Sequence, residues 1–179
     1  MKLQWLVCLC VCINVSQSYL YQSANYTASL NAWQALKPSC YSFTVVNVND
    51  SFGPTVSRTT ITVQNDRVIS RSYKQTDLFH YPDEALDSWK ETNSRGIGSH
   101  DGQFGTDIFP AVTLDRVYTY CRDNILTQDR DINNGQDDNS AAFETFRNGI
   151  IAYCAFYNGL CLGFCGDIIN IDSFRACEN

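Results

Sequence analysis

Two alternating runs separated by Asn65-Asp66 constrain the fold more than any other feature of the chain. Thr55 to Gln64 sets Ser57, Thr59, Ile61 and Val63 against Arg58, Thr60 and Thr62, and Arg67 to Lys74 is rich in β-branched and aromatic residues. A period of two over such residues is the pattern of a strand with one buried face. Asparagine and aspartate tolerate the left-handed backbone that a tight hairpin turn requires, so the two runs predict an antiparallel hairpin. Cys40 to Val48 alternates in the same way, with Tyr41, Phe43 and Val45 on one face, and predicts a strand beside it.

Helical spacing appears on either side of this block. Leu30, Trp33 and Leu36 predict a short helix over Ala28 to Lys37, stopped by Pro38, which lacks the N–H that the next turn needs. Thr113 is an expected N-cap for a second helix that lines up Leu114, Val117, Tyr118, Cys121 and Ile125. Gly149 to Tyr157 and Asp167 to Phe174 read as two more strands. The glycines at 96, 98, 102 and 105 make Asp77 to Pro110 read as a long surface excursion, with a helix start at Pro82-Asp83-Glu84. The expected fold class is α+β, an antiparallel sheet of about five strands with helices on one face and disulfide staples.

The start of the chain bears on where it works. Lys2, the apolar stretch from Leu6 to Val15 and the small residues of Ser16-Gln17-Ser18 form a secretory signal, expected to be cleaved after Ser18. The stretch is shorter than the roughly 20 residues that span a bilayer, so no transmembrane segment is expected after cleavage. The predicted organisation is a signal peptide over 1–18 and one secreted domain over 19–179, with insertions at 77–110 and 127–148.

Cys8, Cys10 and Cys12 leave with the signal, and Cys40, Cys121, Cys154, Cys161, Cys165 and Cys177 remain. Six cysteines in an exported chain predict three disulfides, in a pairing that spacing does not decide. Asn25-Tyr26-Thr27 and Asn49-Asp50-Ser51 are acceptor sequons, expected in exposed loops, which makes Asn25 and Asn49 candidate glycosylation sites. Asp plus Glu outnumber Lys plus Arg by six, and by seven once Lys2 is lost. That balance argues against nucleic acid, which calls for a basic face.

Short motifs spread over most of the mature chain carry a resemblance. They are Trp33, Tyr41 to Thr44, Val63 to Val68, Thr113-Leu114-Asp115-Arg116-Val117, Tyr153, and Gly166 to Asp172. In these the chain resembles a family of small secreted and lipoprotein α+β domains of bacteria, catalogued only as a domain of unknown function. The resemblance implies a fold like the one expected above and brings no activity, cofactor or site. The cysteines and the two insertions depart from the family pattern, which points to the insertions as the place for any function particular to this chain.

Candidate chemistry is sparse. His80 and His100 are the histidines, and paired cysteines offer no thiolate. Gly98-Ser99-His100-Asp101-Gly102 sets serine, histidine and aspartate side by side, but a triad is assembled in space and neighbours point apart, so the run reads as a flexible loop. No enzymatic activity and no catalytic residue are expected. Asp129 to Asp138 offers side-chain oxygens at alternate positions, as a loop around a hard cation does. Asp129, Asp131, Asn133 and Asp137 are the candidate ligands of a weak calcium site, against the alternative of a solvated acidic connection. The glycine at 135 falls one place late for a helix-loop calcium site, and Ser140 stands where such sites place a glutamate. No other cofactor is expected.

These features predict a secreted, non-enzymatic extracellular structural or matrix protein, of a calcified shell or skeletal matrix, whose partner is matrix, a mineral surface or another protein. The alternative is a secreted binding or inhibitory module, because a helix across a short antiparallel sheet resembles the layout of cystatin-type protease inhibitors. The chain lacks their glutamine-valine-glycine type motif.

Overall fold

The computed structural model describes residues 24–49, 53–78, 85–94, 96–127, 140–157 and 167–177. Its framework is one antiparallel sheet of seven strands: β1 (Cys40–Asn49), β2 (Thr55–Gln64), β3 (Arg67–Asp77), β4 (Ala85–Thr92), β5 (Ser140–Thr145), β6 (Ile151–Tyr157) and β7 (Ile168–Ala176), in the order β4-β3-β2-β1-β7-β6-β5. Two meanders, β1 to β4 and β5 to β7, meet where β1 pairs with β7.

The expected hairpin forms between β2 and β3. Asn65 and Asp66 both have positive φ, 50° and 61°, which gives the turn the right-handed twist that the flanking strands need. Tyr41, Phe43 and Val45 are buried as their alternation predicts, and so are Thr59, Ile61 and Val63 of the neighbouring strand.

Among the described residues seven strands replace the expected five. β4 lies inside the segment read as a surface excursion, and pairs along β3 from Ser70↔Thr92 to Thr76↔Ala85. β5 lies inside the expected insertion at 127–148 and closes the other edge against β6. Both are edge strands held by one neighbour, and pairing rather than local propensity determines them.

Helix α1 covers 24–36, beginning earlier than expected and ending before Pro38. Its inward residues are Tyr26, Ser29 and Trp33, while Leu36 is 50% exposed. A step of six residues turns the helix about 120° short of a full repeat, so Leu36 leaves the stripe that Leu30 and Trp33 begin. Helix α2 (Leu114–Tyr120) continues into a π-helical segment, Cys121–Leu126, and buries the expected Leu114, Val117, Tyr118, Cys121 and Ile125. Thr113 stands at the N-cap without a side-chain hydrogen bond. The start of the helix is satisfied from the sheet instead, where the Tyr41 hydroxyl accepts the Leu114 N–H at 3.1 Å. Burial pushes that phenol up to about 12.

Tyr118 ties the layers together. Its hydroxyl donates to Ser29 O at 3.2 Å and accepts from Ile151 N at 2.9 Å, joining α1, α2 and β6 at one oxygen. Among the described residues two disulfides complete the frame. Cys40–Cys177 joins the start of β1 to the end of the β7 strand beside it, and Cys121–Cys154 joins the π-helical segment to β6 inside the core. Cys161 and Cys165 lie outside the described residues. Among the described residues no helix is long and apolar enough to cross a membrane.

Candidate functional site

Among the described residues the densest polar cluster is built on β3 and β4, where the register sets Arg71 opposite Glu91 and Tyr73 opposite Trp89. These four share the face of the sheet that carries Ile61 and Thr59 on β2. Arg71 and Glu91 are each only 1% exposed. Arg71 donates from Nε and Nη2 to the two carboxylate oxygens, 2.9 Å each, the fork geometry that suits guanidinium to carboxylate. Its remaining donors reach Phe109 O at 3.1 Å and His100 O.

The segment 96–109 closes over this pair. Glu91 accepts the backbone N–H groups of Gly98 at 2.8 Å and His100 at 2.7 Å, the Ser99 hydroxyl at 3.0 Å and the His100 ring at 3.0 Å. A carboxylate accepts only and has about four lone-pair positions, so these four donors and the two from Arg71, six in all, outnumber its positions and leave none for another group. They also require the His100 proton on Nδ1. The segment makes these approaches because Gly96 and Gly98 adopt positive φ, 71° and 82°. At Gly102 a Cβ would lie 2.7 Å from Arg71 Nη1 and 3.0 Å from Ile108 O, so only glycine admits the guanidinium. Phe109 N donates to the buried Thr59 hydroxyl at 3.3 Å, fixing the far end of the segment to β2.

Rings cover the cluster. Trp89 stacks on His100 at 4.1 Å and on Tyr73 at 5.3 Å, and Arg71 Cζ lies 4.9 Å from the Trp89 ring centre. Burial alone would raise the Glu91 carboxyl, but the hydrogen bonds from Arg71, then from His100 and Gly98, outweigh it and hold the group well below the ordinary carboxylate range.

Ser99 and His100 therefore belong to a latch, in place of the flexible loop expected from the sequence. Ser99 Oγ lies 3.5 Å from His100 Nδ1, the same nitrogen that faces Glu91. A relay needs serine on one ring nitrogen and carboxylate on the other, and this arrangement does not provide it.

The two sequon asparagines lie away from this cluster. Asn25 lies in α1 rather than in an exposed loop, and with Ser29, Phe143, Glu144 and Gly149 it lines a shallow groove of about 470 Å³. Asn49 is exposed at the end of β1. Asp129, Asp131, Asn133, Asp137 and His80 lie outside the described residues. Among the described residues no three metal-ligating side chains converge. Sequence reading missed Arg71 and Glu91, the centre of the cluster. The one available signal was an arginine at a position whose parity, counted from Tyr73, faces the core.

No family model matches the chain, and no match is found among curated proteins or among solved structures.

Proposed function

We propose that this chain is a secreted, non-enzymatic structural or matrix protein of the extracellular space, with weak calcium binding through Asp129, Asp131, Asn133 and Asp137. The observation that carries the reading is the saturation of Glu91. The cluster with serine, histidine and carboxylate in contact spends its hydrogen bonds on holding 96–109 to the sheet. The signal, the sequons, the two disulfides and the acidic balance support export and durability outside the cell.

Calorimetric titration of the oxidised mature protein with calcium tests the reading. Saturable binding in the roughly millimolar range of extracellular modules is expected, and its loss in the Asp129→Ala, Asp131→Ala variant. Absence of binding, or binding unchanged in the variant, counts against the calcium-holding matrix assignment.

A second reading, a secreted binding module, is favoured by the sheet face that lies opposite the helices.

A further inference from the structure

Trp33 of α1, Leu114 of α2 and the segment 96–109 make their contacts with one face of the sheet, through Tyr41, Thr59 and Arg71. The opposite face of β1 to β4 and β7 presents three rows in register. The first is Val46, Arg58, Lys74 and Ser88; the second is Ser173, Thr44, Thr60, Ser72 and Lys90; the third is Arg175, Ser42, Thr62, Ser70 and Thr92. These rows hold four cations, eight hydroxyl side chains besides Ser88, and no carboxylate; Asp172, the exposed bulge residue beside Ser173, is the one acid of β7.

Arg58, Lys74, Lys90 and Arg175 are exposed, and none makes a hydrogen bond or ion pair with a described residue. Among the described residues Lys37, Arg71 and Arg122 are paired with carboxylates, whereas Arg67, Arg116 and Arg147 are not, so what sets the four apart is their gathering on one face. The chain carries a formal net charge of -6, so its charge is segregated and this face runs against the whole. Lys90 has an ordinary explanation, since lysine on an edge strand discourages pairing with other chains. Arg58 and Lys74 do not: they sit on the inner strands β2 and β3, directly opposite one another, where like charges cost stability. A bound polyanion offsets that cost.

From this array we infer that the open face binds a linear sulfated polysaccharide, with Arg58, Lys74, Lys90 and Arg175 contacting successive sulfates and the Ser/Thr rows donating between them. The inference rests on the extracellular reading above and names its partner class. At about 4.8 Å between strands and about 3.4 Å per residue, the cations spread over roughly 19 by 14 Å. They do not converge as a single phosphate site would. A flat, extended array suits anions repeated along a chain; the three rows carry one apolar side chain, Val46, and Val48 and Val56 of the next row lie beyond the cations.

The test is retention on immobilised heparin in about 0.15 M salt, where the chain's overall negative charge opposes non-specific capture. The wild-type protein is expected to be retained, and to ignore heparin stripped of its sulfates. The Arg58→Gln, Lys74→Gln, Lys90→Gln variant is expected to bind at least about tenfold more weakly, because each lost contact releases fewer counterions from the polyanion. Arg116→Gln, Arg122→Gln, Arg147→Gln makes the same change in net charge away from this face and is expected to bind as wild type. No retention of the wild-type protein, equal loss in both variants, or equally tight binding to phosphatidylserine vesicles would overturn the inference. The calcium titration is independent of this face, so its outcome separates failure of the partner from failure of the matrix reading.

Discussion

Replacing Glu91 by alanine is expected to lower stability by about 3–5 kcal/mol, because it leaves the Arg71 guanidinium buried without its counter-charge. The loss has a second part: the N–H groups of Gly98 and His100 and the Ser99 hydroxyl lose their acceptor together, so 96–109 is released from the sheet. The pH dependence follows from the lowered carboxyl. A group whose folded value lies below its unfolded value of about 4.5 contributes fully above that value and progressively less as pH falls below it. Urea denaturation at neutral pH and near pH 3 is expected to show a fall in wild-type stability that is reduced in Glu91→Ala. A neutral-pH loss under about 1 kcal/mol would mean that the latch is peripheral to the fold.

The Cys40→Ser, Cys177→Ser variant is expected to lose about 5 kcal/mol, the larger of the two disulfide effects. The bridge spans a sequence separation of 137, against 33 for Cys121–Cys154, and the chain entropy withheld from the unfolded state grows with the length of the closed loop. For a domain of this size the melting temperature is expected to drop by roughly 10–20 °C in calorimetry. The native contacts beside the bridge, β1 on β7 and the Cys177 N–H on Cys40 O at 3.0 Å, remain available to the variant, so the effect resides in the unfolded chain. A drop of only a few degrees would show that the β1–β7 pairing closes the termini unaided.

Much of the first meander was legible because its signals are local. Alternation from Tyr41 to Val45 and from Ser57 to Val63 names the buried face directly, and Asn65-Asp66 supplies the one turn geometry that twists with its strands. β4 was not legible: Ala85-Leu86-Asp87-Ser88-Trp89-Lys90-Glu91-Thr92 mixes charges on both faces, and the helix start expected at Pro82-Asp83-Glu84, which lies outside the described residues, argues locally against a strand. Its strand state comes from partners on β3 that local sequence does not reveal. The same holds for the candidate site. Arg71 and Glu91 are adjacent through sheet register alone, and a reader without the register sees two ordinary surface charges. Disulfide pairing was equally closed to sequence, since Cys40 meets Cys177 only because the last strand lies beside the first.

The proposed working surface is the open Ser/Thr and cation face, and the role proposed for the Arg71–Glu91 latch is structural. Nuclear magnetic resonance of the ¹⁵N-labelled mature protein, titrated with a heparin oligosaccharide, tests that division most directly. Amide shifts are expected at Thr44, Arg58, Thr60, Ser72, Lys74 and Lys90, with Trp89, Gly98, Ser99 and His100 unmoved. Shifts centred on Trp89 and 98–102, or no shifts at all, would contradict it.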